Sequence, residues 1–325
     1  MSNLEAAPAA TRCEPASGPG PVAERHDSRE VPLGGVRGMS VSRTLPLRGR
    51  PTVGAWCFLD QFGPQHTDMR VLPHPHIGLQ TVTWPLGGLI RHRDSLGSDV
   101  VLRPGQLNLM TSGRGVVHSE FSLEGADLLH ALQLWVALPV DRAAGEAAFE
   151  RHTELPSYEA TGLRATVIIG EIADAKSPAT AYTPLLGAEI RVEPGRRATI
   201  PARRDFEHAA LVIAGEATIG GERLDAGPLL YLGTGRDELE IASAAGATLV
   251  LLGGEPFADE LVMWWNFVGR SHEEIAAARD DWERADRGRF GLVAGHVVGH
   301  VAGHGADRIP APPLPAVRLT ARKRG

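Results

Sequence analysis

At 325 residues and a formal net charge of −6, the chain is long enough for two domains and too acidic for nucleic acid to be its main partner. No run of about 18 uncharged apolar residues occurs, so no membrane helix is expected, and residues 1–30 lack the basic start and apolar core of an export signal. Two cysteines, Cys13 and Cys57, make no disulfide framework, so a reduced, cytoplasmic protein is the expectation.

Residues 1–30 read as a flexible tail rich in Pro, Ala, Gly and Ser. From 31 to 145 follow short β-type runs, among them TVTWPL (81–86), VVLR (100–103) and LLHALQLWVAL (128–138), separated by Gly, Pro and Asp. Such spacing predicts an all-β barrel or sandwich. The polar stretch Asp141–Ser157 reads as an interdomain connection, with a boundary near 145/146. The β pattern then resumes to 268 in LRATVIIGEI, AEIRVEPG, AALVIAGEATIGGERLDAGPLLYLG and ATLVLLGG, with Gly220–Gly221 as a hairpin turn. The halves look like diverged copies of one module, which predicts two small barrels side by side. A capping box, Ser271 to Glu274, opens a helix within 269–290 whose buried face is Ile275, Ala278 and Trp282. Residues 291–325 read as a second flexible tail, rich in Gly, His and Pro and dispensable for the site. Its His296, His300 and His304 recur every four residues beside glycines, which suits a tandem duplication better than a helix.

The chemistry concentrates in two segments, Pro73-His74-Pro75-His76 and His118-Ser119-Glu120. On an extended strand, residues i and i+2 share a face. Two such strands in one barrel would bring His74, His76, His118 and Glu120 to a common point. Three imidazoles and a carboxylate suit a first-row divalent ion, whether Fe, Mn, Ni, Cu or Zn. On an octahedral ion they leave open positions for small molecules. Gly78, Gly113 and Gly115 would let the backbone turn near this point. Among other residues, His92 reads as solvated or locally bonded. Ser119 is placed facing away from the metal, and Trp84, Met110 and Trp135 are placed in the core rather than in a substrate cradle. His208 has no partner at i+2, so the second barrel is expected to be metal-free.

The run from His74 to Glu120 resembles the signature of the pirin family. The pieces H-P-H-x-G, T-V-T, H-x-D-S-x-G, P-G, M-T-x-G-x-G-x-x-H-S-E and Q-L-W stand in order, and Gly-Glu-Pro (254–256) and Glu-Glu-Ile (273–275) follow later. The resemblance implies two cupin barrels (a bicupin) with one metal ion, usually iron, in the N-terminal one. Its three His and one Glu ligands fall on His74, His76, His118 and Glu120. It also implies either of two functions. One is a dioxygenase acting on a flavonol such as quercetin and on O2, with Glu120 accepting the substrate hydroxyl proton. The other is an iron-based redox sensor read by a partner protein. Gln80 and Ile77 depart from the family pattern, where Glu and Arg are common, and put the surroundings of the metal in doubt rather than its ligands.

Overall fold

The computed structural model describes residues 11–13, 20–33, 39–47, 52–123, 128–294 and 308–320; His296, His300 and His304 lie outside them. Period-two alternation builds the architecture. In the strand Glu207–Ile219, Ala209 and Leu211 join one apolar cluster while Ala210 and Val212 join another. In Ala247–Gly254, Val250 and Leu252 divide from Leu249 and Leu251 in the same way. A sheet with two apolar faces must be covered on both.

Two β-barrels result. In the first, a seven-stranded sheet is ordered Ala148–His152, Leu107–Thr111, Leu79–Gly87, Leu129–Ala137, Trp56–Gln65, Met39–Leu45 and Arg29–Leu33. It faces a four-stranded sheet of Arg70–His76, Val116–Ser122, Ile90–Asp94 and Asp99–Leu102. The second is built on a ten-stranded sheet that includes Leu163–Ile169, Leu185–Val192, Ala247–Gly254, Glu207–Ile219 and Leu229–Gly233. Gly220 and Gly221, at φ of +57° and +91°, make the tight hairpin between Ile219 and Glu222.

The barrels share a core. Val82, Leu109, Leu132 and Leu134 on the outer face of the seven-stranded sheet pack with Leu211, Leu229, Val250 and Leu252 of the second barrel. Polar bonds fix this interface. Trp84 Nε1 donates to Glu189 Oε2 at 2.7 Å, Trp56 Nε1 to the Leu186 carbonyl at 3.0 Å, and the Gly54 amide to Glu207 Oε2 at 2.7 Å. The inner face of the seven-stranded sheet is thereby left to line the first barrel.

Three expected boundaries change. Within the N-terminal segment expected to be a tail, Pro21–His26 is an edge strand of the second barrel, paired with Leu229–Gly233. Arg29–Leu33 pairs with Met39–Leu45 in the first barrel. Alternating side chains in VAERH and REVPL carry these pairings, although the composition around them reads as loop. Within the expected connection, Ala148–His152 adds to Leu107–Thr111, so the first barrel extends past residue 145.

The third change concerns the C-terminal segment. Helix His272–Glu283 begins as the capping box predicts, Ser271 Oγ accepting from the Glu274 amide, but Glu274 reaches back to the Arg270 amide rather than to Ser271. A second, short helix, Arg287–Phe290, follows. Residues 308–320 then form a strap over the first helix. Trp282 Nε1 donates to the Ile309 carbonyl at 2.9 Å, Arg279 Nε to the Pro312 carbonyl at 2.8 Å, and Ala311 and Leu319 are buried with Trp264 and Phe267. The Ile309 amide donates to the carbonyl of Pro73 at 2.9 Å, next to His74. Apolar residues among the prolines (Ile309, Ala311, Leu314, Leu319) do the holding, not secondary structure. Removing residues 308–325 is therefore expected to destabilise the protein by about 3 kcal/mol or more, since several apolar side chains return to water, and to weaken metal retention. Urea midpoints and metal content equal to wild type would show the strap to be dispensable.

Candidate metal centre

Strands Arg70–His76 and Val116–Ser122 are neighbours in the four-stranded sheet, with His118 opposite His74. A β-bulge follows, and Glu120 comes to lie opposite Val71 on one side and His92 on the other. Glycine terminates both strands' ends for a steric reason. Gly78 (φ +68°) donates to the Gly113 carbonyl, and a Cβ at Gly78 would stand 2.0 Å from the Val268 carbonyl oxygen. At Gly113 (φ +47°) it would stand 2.1 Å from that of Gly145. Gly115 is needed for close approach instead, against Arg289.

The four expected residues lie inside the barrel, each no more than 1% exposed. Ligand-type atoms of His74, His76 and His118 lie within 4.8 Å of one another, and so do those of a second trio, His92, His118 and Glu120. The outward nitrogens are tied down. His74 Nδ1 meets the Leu72 carbonyl at 2.8 Å and His76 Nδ1 the Asn266 carbonyl at 3.1 Å. A carbonyl can only accept, so both Nδ1 atoms carry the proton and both Nε2 atoms present lone pairs. His74 Nε2 is buried without a hydrogen-bond partner, and His76 Nε2 lies 3.1 Å from His118 Nε2. Nitrogens this close need a proton or a cation between them. The donor set therefore fits a first-row divalent ion.

Burial pushes the pKa of His76 down to about 3 and those of His74 and His118 well below their ordinary value, neighbouring imidazoles adding to the effect at His74 and His118. All three are neutral at physiological pH, as ligation requires. The same shifts set an acid limit. Unfolded, each histidine takes up a proton near pH 6.5, whereas the fold refuses it, so stability is full above that pH and lost as pH falls towards 3. For His76 alone the loss is on the order of 5 kcal/mol when complete. Urea midpoints of the metal-free protein should fall steadily from pH 7 to 4; a flat profile would contradict the burial of neutral imidazoles.

Glu120 is oriented from the opposite sheet. Thr83 Oγ1 lies 3.1 Å from Glu120 Oε1 and 3.1 Å from Gln133 Oε1. Register extends this into a buried row, Arg43–Asp60–Gln133–Thr83–Asn108, across five strands. Asn108 ends the row with both side-chain polar atoms buried and unpartnered. Aromatic side chains supply the rest of the wall. Trp135 lies 5.2 Å from His76 and stacks on Phe58 at 4.0 Å, and Phe149 stacks on His92 at 4.7 Å.

Some expected placements change. His92 is bonded locally, as one arm of the expectation has it, its Nε2 3.0 Å from Asp94 Oδ2, but it is buried rather than solvated. Asp94 in turn accepts from the Leu96 and Ser98 amides. Trp135 borders the site, whereas Trp84 bonds across to the second barrel. Phe149 was hidden in a segment that reads as a connection, and the one sequence signal for it is the short alternation AFERH. Arg114 is exposed and bonds to the short helix at the Gly288 carbonyl. The second barrel encloses aliphatic side chains around His208, and both trios of ligand-type residues found among the described residues lie in the first barrel.

Comparison with known proteins decides the family. The Pirin family model matches residues 38–136 and that of the Pirin C-terminal cupin domain residues 187–291. The chain belongs to the pirin family. Its two barrels are the two cupin domains. It is 42% identical over 298 residues to a Pseudomonas aeruginosa protein named "Putative quercetin 2,3-dioxygenase", with 90% of each chain covered. It is 37% identical over 272 residues to a pirin-like protein of Caulobacter vibrioides, covering 79% of this chain and 91% of that one. The crystal structure of a quercetin 2,3-dioxygenase from Acinetobacter baumannii superposes with a TM-score of 0.85 at 37% identity, covering 93% of this chain and 98% of that one. Neither departure from the pirin pattern points at the cluster. Gln80 faces outward, donating to Thr111 Oγ1 and to the Thr180 carbonyl, and Ile77 packs among Trp264, Trp265 and Phe267.

Proposed function

We propose that this pirin holds one divalent metal ion, iron, on His74, His76, His118 and Glu120, and that it acts in the cytoplasm as a dioxygenase opening the heterocycle of a flavonol-like substrate. The observation that carries the reading is the buried cluster itself: three imidazoles whose ring nitrogens converge, with Glu120 beside His118, Trp135 packed against His76 and Phe149 against His92. The relatives named for quercetin dioxygenation support it.

Iron, when bound, supplies the centre at which a deprotonated hydroxyketone and dioxygen are brought into reacting geometry. The chain supplies the proton acceptor. Glu120 takes the substrate hydroxyl proton, and Thr83 sets when it can. A threonine hydroxyl has one proton to give, and two carbonyl-type oxygens stand at equal distance. Turning it from Glu120 to Gln133 frees a lone pair on Glu120 and raises its basicity. Burial keeps water from competing for that proton.

The test is oxygen uptake by full-length, untagged protein purified without oxygen, with metal content measured in parallel. About one iron per chain and quercetin-dependent oxygen consumption are expected. The burial of all four ligands also suits a second reading, an iron redox sensor read by a partner protein. Iron that cycles between oxidation states without consuming oxygen against any flavonol would favour it.

A further inference from the structure

The three histidines of the cluster differ in what holds their outer nitrogen. His74 and His76 end on backbone carbonyls, which are fixed and neutral. His118 ends on another side chain: its Nδ1 lies 3.4 Å from Nδ1 of His92, whose Nε2 lies 3.0 Å from Asp94 Oδ2. Only one assignment of protons satisfies this chain when a cation occupies the cluster. Asp94, an acceptor, requires the proton on His92 Nε2, which leaves a lone pair on His92 Nδ1. That lone pair accepts from His118 Nδ1–H, and His118 Nε2 is then bare, on the edge that meets His76.

We propose that His92 and Asp94 form the positioning unit of His118, a carboxylate–imidazole–imidazole relay that orients its Nε2 and strengthens it as a donor to the metal. The inference rests on the ligand set proposed above but not on the dioxygenase reaction. Three features show a built device. His92 and Asp94 are each 1% exposed, so the pair is kept from water that would weaken it. Phe149 stacks on the His92 ring at 19° and fixes its plane. The turn amides of Leu96 and Ser98 bind Asp94 Oδ1, leaving Oδ2 for His92. Within the described residues, His92 and Asp94 thereby give one ligand an anionic outer partner that the other two histidines lack. A carboxylate behind a ligating imidazole raises its basicity and favours the more highly charged metal. The pair would thus lower the reduction potential of bound iron.

The experiment compares zinc affinity, by chelator competition, in full-length wild type, His92→Phe, His92→Gln and Phe149→Leu. His92→Phe removes the acceptor for His118 and should weaken zinc binding about 10- to 100-fold. His92→Gln keeps an oxygen that can accept and should recover most of that loss. Phe149→Leu removes the ring that holds the His92 plane but leaves both hydrogen bonds of the relay in place, and should cost less than His92→Phe. Equal losses in all three would reduce His92 to packing and overturn the proposal, as would unchanged affinity in His92→Phe. As an independent readout, the Fe(III)/Fe(II) midpoint of the iron-loaded protein should rise in His92→Phe and in Asp94→Asn; an unmoved potential would also overturn it. A wild type that binds no zinc or iron would sink the ligand set and the relay together, whereas bound metal without flavonol turnover would leave the relay standing.

Discussion

His118→Ala is expected to abolish stoichiometric metal binding while leaving the barrels folded. His118 is the member shared by both ligand trios, within 4.8 Å of His74 and His76 on one side and of His92 and Glu120 on the other. Losing His74 or His76 breaks one of these groupings, and losing His118 breaks both. The fold should survive because the substitution removes a polar ring that the apolar clusters do not include. The substitution removes a buried imidazole whose own pKa is held well below its ordinary value by burial and by His74 and His76, so the metal-free variant should tolerate acid at least as well as metal-free wild type. Metal analysis and circular dichroism decide it. Full occupancy in His118→Ala would refute the ligand set, and a collapsed fold would mean that the cluster is structural. Any oxygen uptake with quercetin should vanish with the metal.

Asp60→Ala should have the largest effect on stability. Arg43 and Asp60 form a two-pronged ion pair at 2.7 and 2.8 Å, with Arg43 1% and Asp60 0% exposed, and the guanidinium lies 4.5 Å over the Phe58 ring. Burial pushes the Asp60 carboxyl above its ordinary pKa against the opposing pull of Arg43, a sign of how much the desolvation costs. The pair itself contributes little net stability. Removing one member is different, because it strands a guanidinium in a dry barrel, at a cost of about 3–5 kcal/mol. The double variant Arg43→Met with Asp60→Leu should recover much of that loss. Urea unfolding of the three proteins provides the measurement. A single variant within about 1 kcal/mol of wild type would show that water reaches Arg43. Because Phe58 carries Trp135 on its other face, the single variant should also loosen the wall beside His76.

The convergence of His74, His76 and His118 was legible in the sequence because strand alternation converts an i,i+2 spacing directly into a shared face. His92 was not. Nothing local reveals that its hairpin folds inward, since the decisive contacts, Phe149 and His118, are 57 and 26 positions along the chain in a numbering that says nothing of the barrel's closure. The row from Arg43 to Asn108 was likewise hidden, since it runs across five strands and register is not written in any one of them. Period two identified the sheets but could not say that AFERH joins the first barrel and VAERH the second. At the C-terminal end, Pro and Gly suggest a loose segment, yet a chain without regular structure is held well enough by Ile309, Ala311 and Leu319 reaching an existing apolar surface.

The strand Pro21–His26 has a consequence for biosynthesis. Its partner, Leu229–Gly233, is made some two hundred residues after it. Between those moments its row of amides and carbonyls has no native mate. Ordering of the second barrel's edge must then wait until that partner strand has been made, and pairing across so long a loop is slow. During that interval the nascent chain carries an open strand that a chaperone, or the same strand on a neighbouring polysome product, is free to engage.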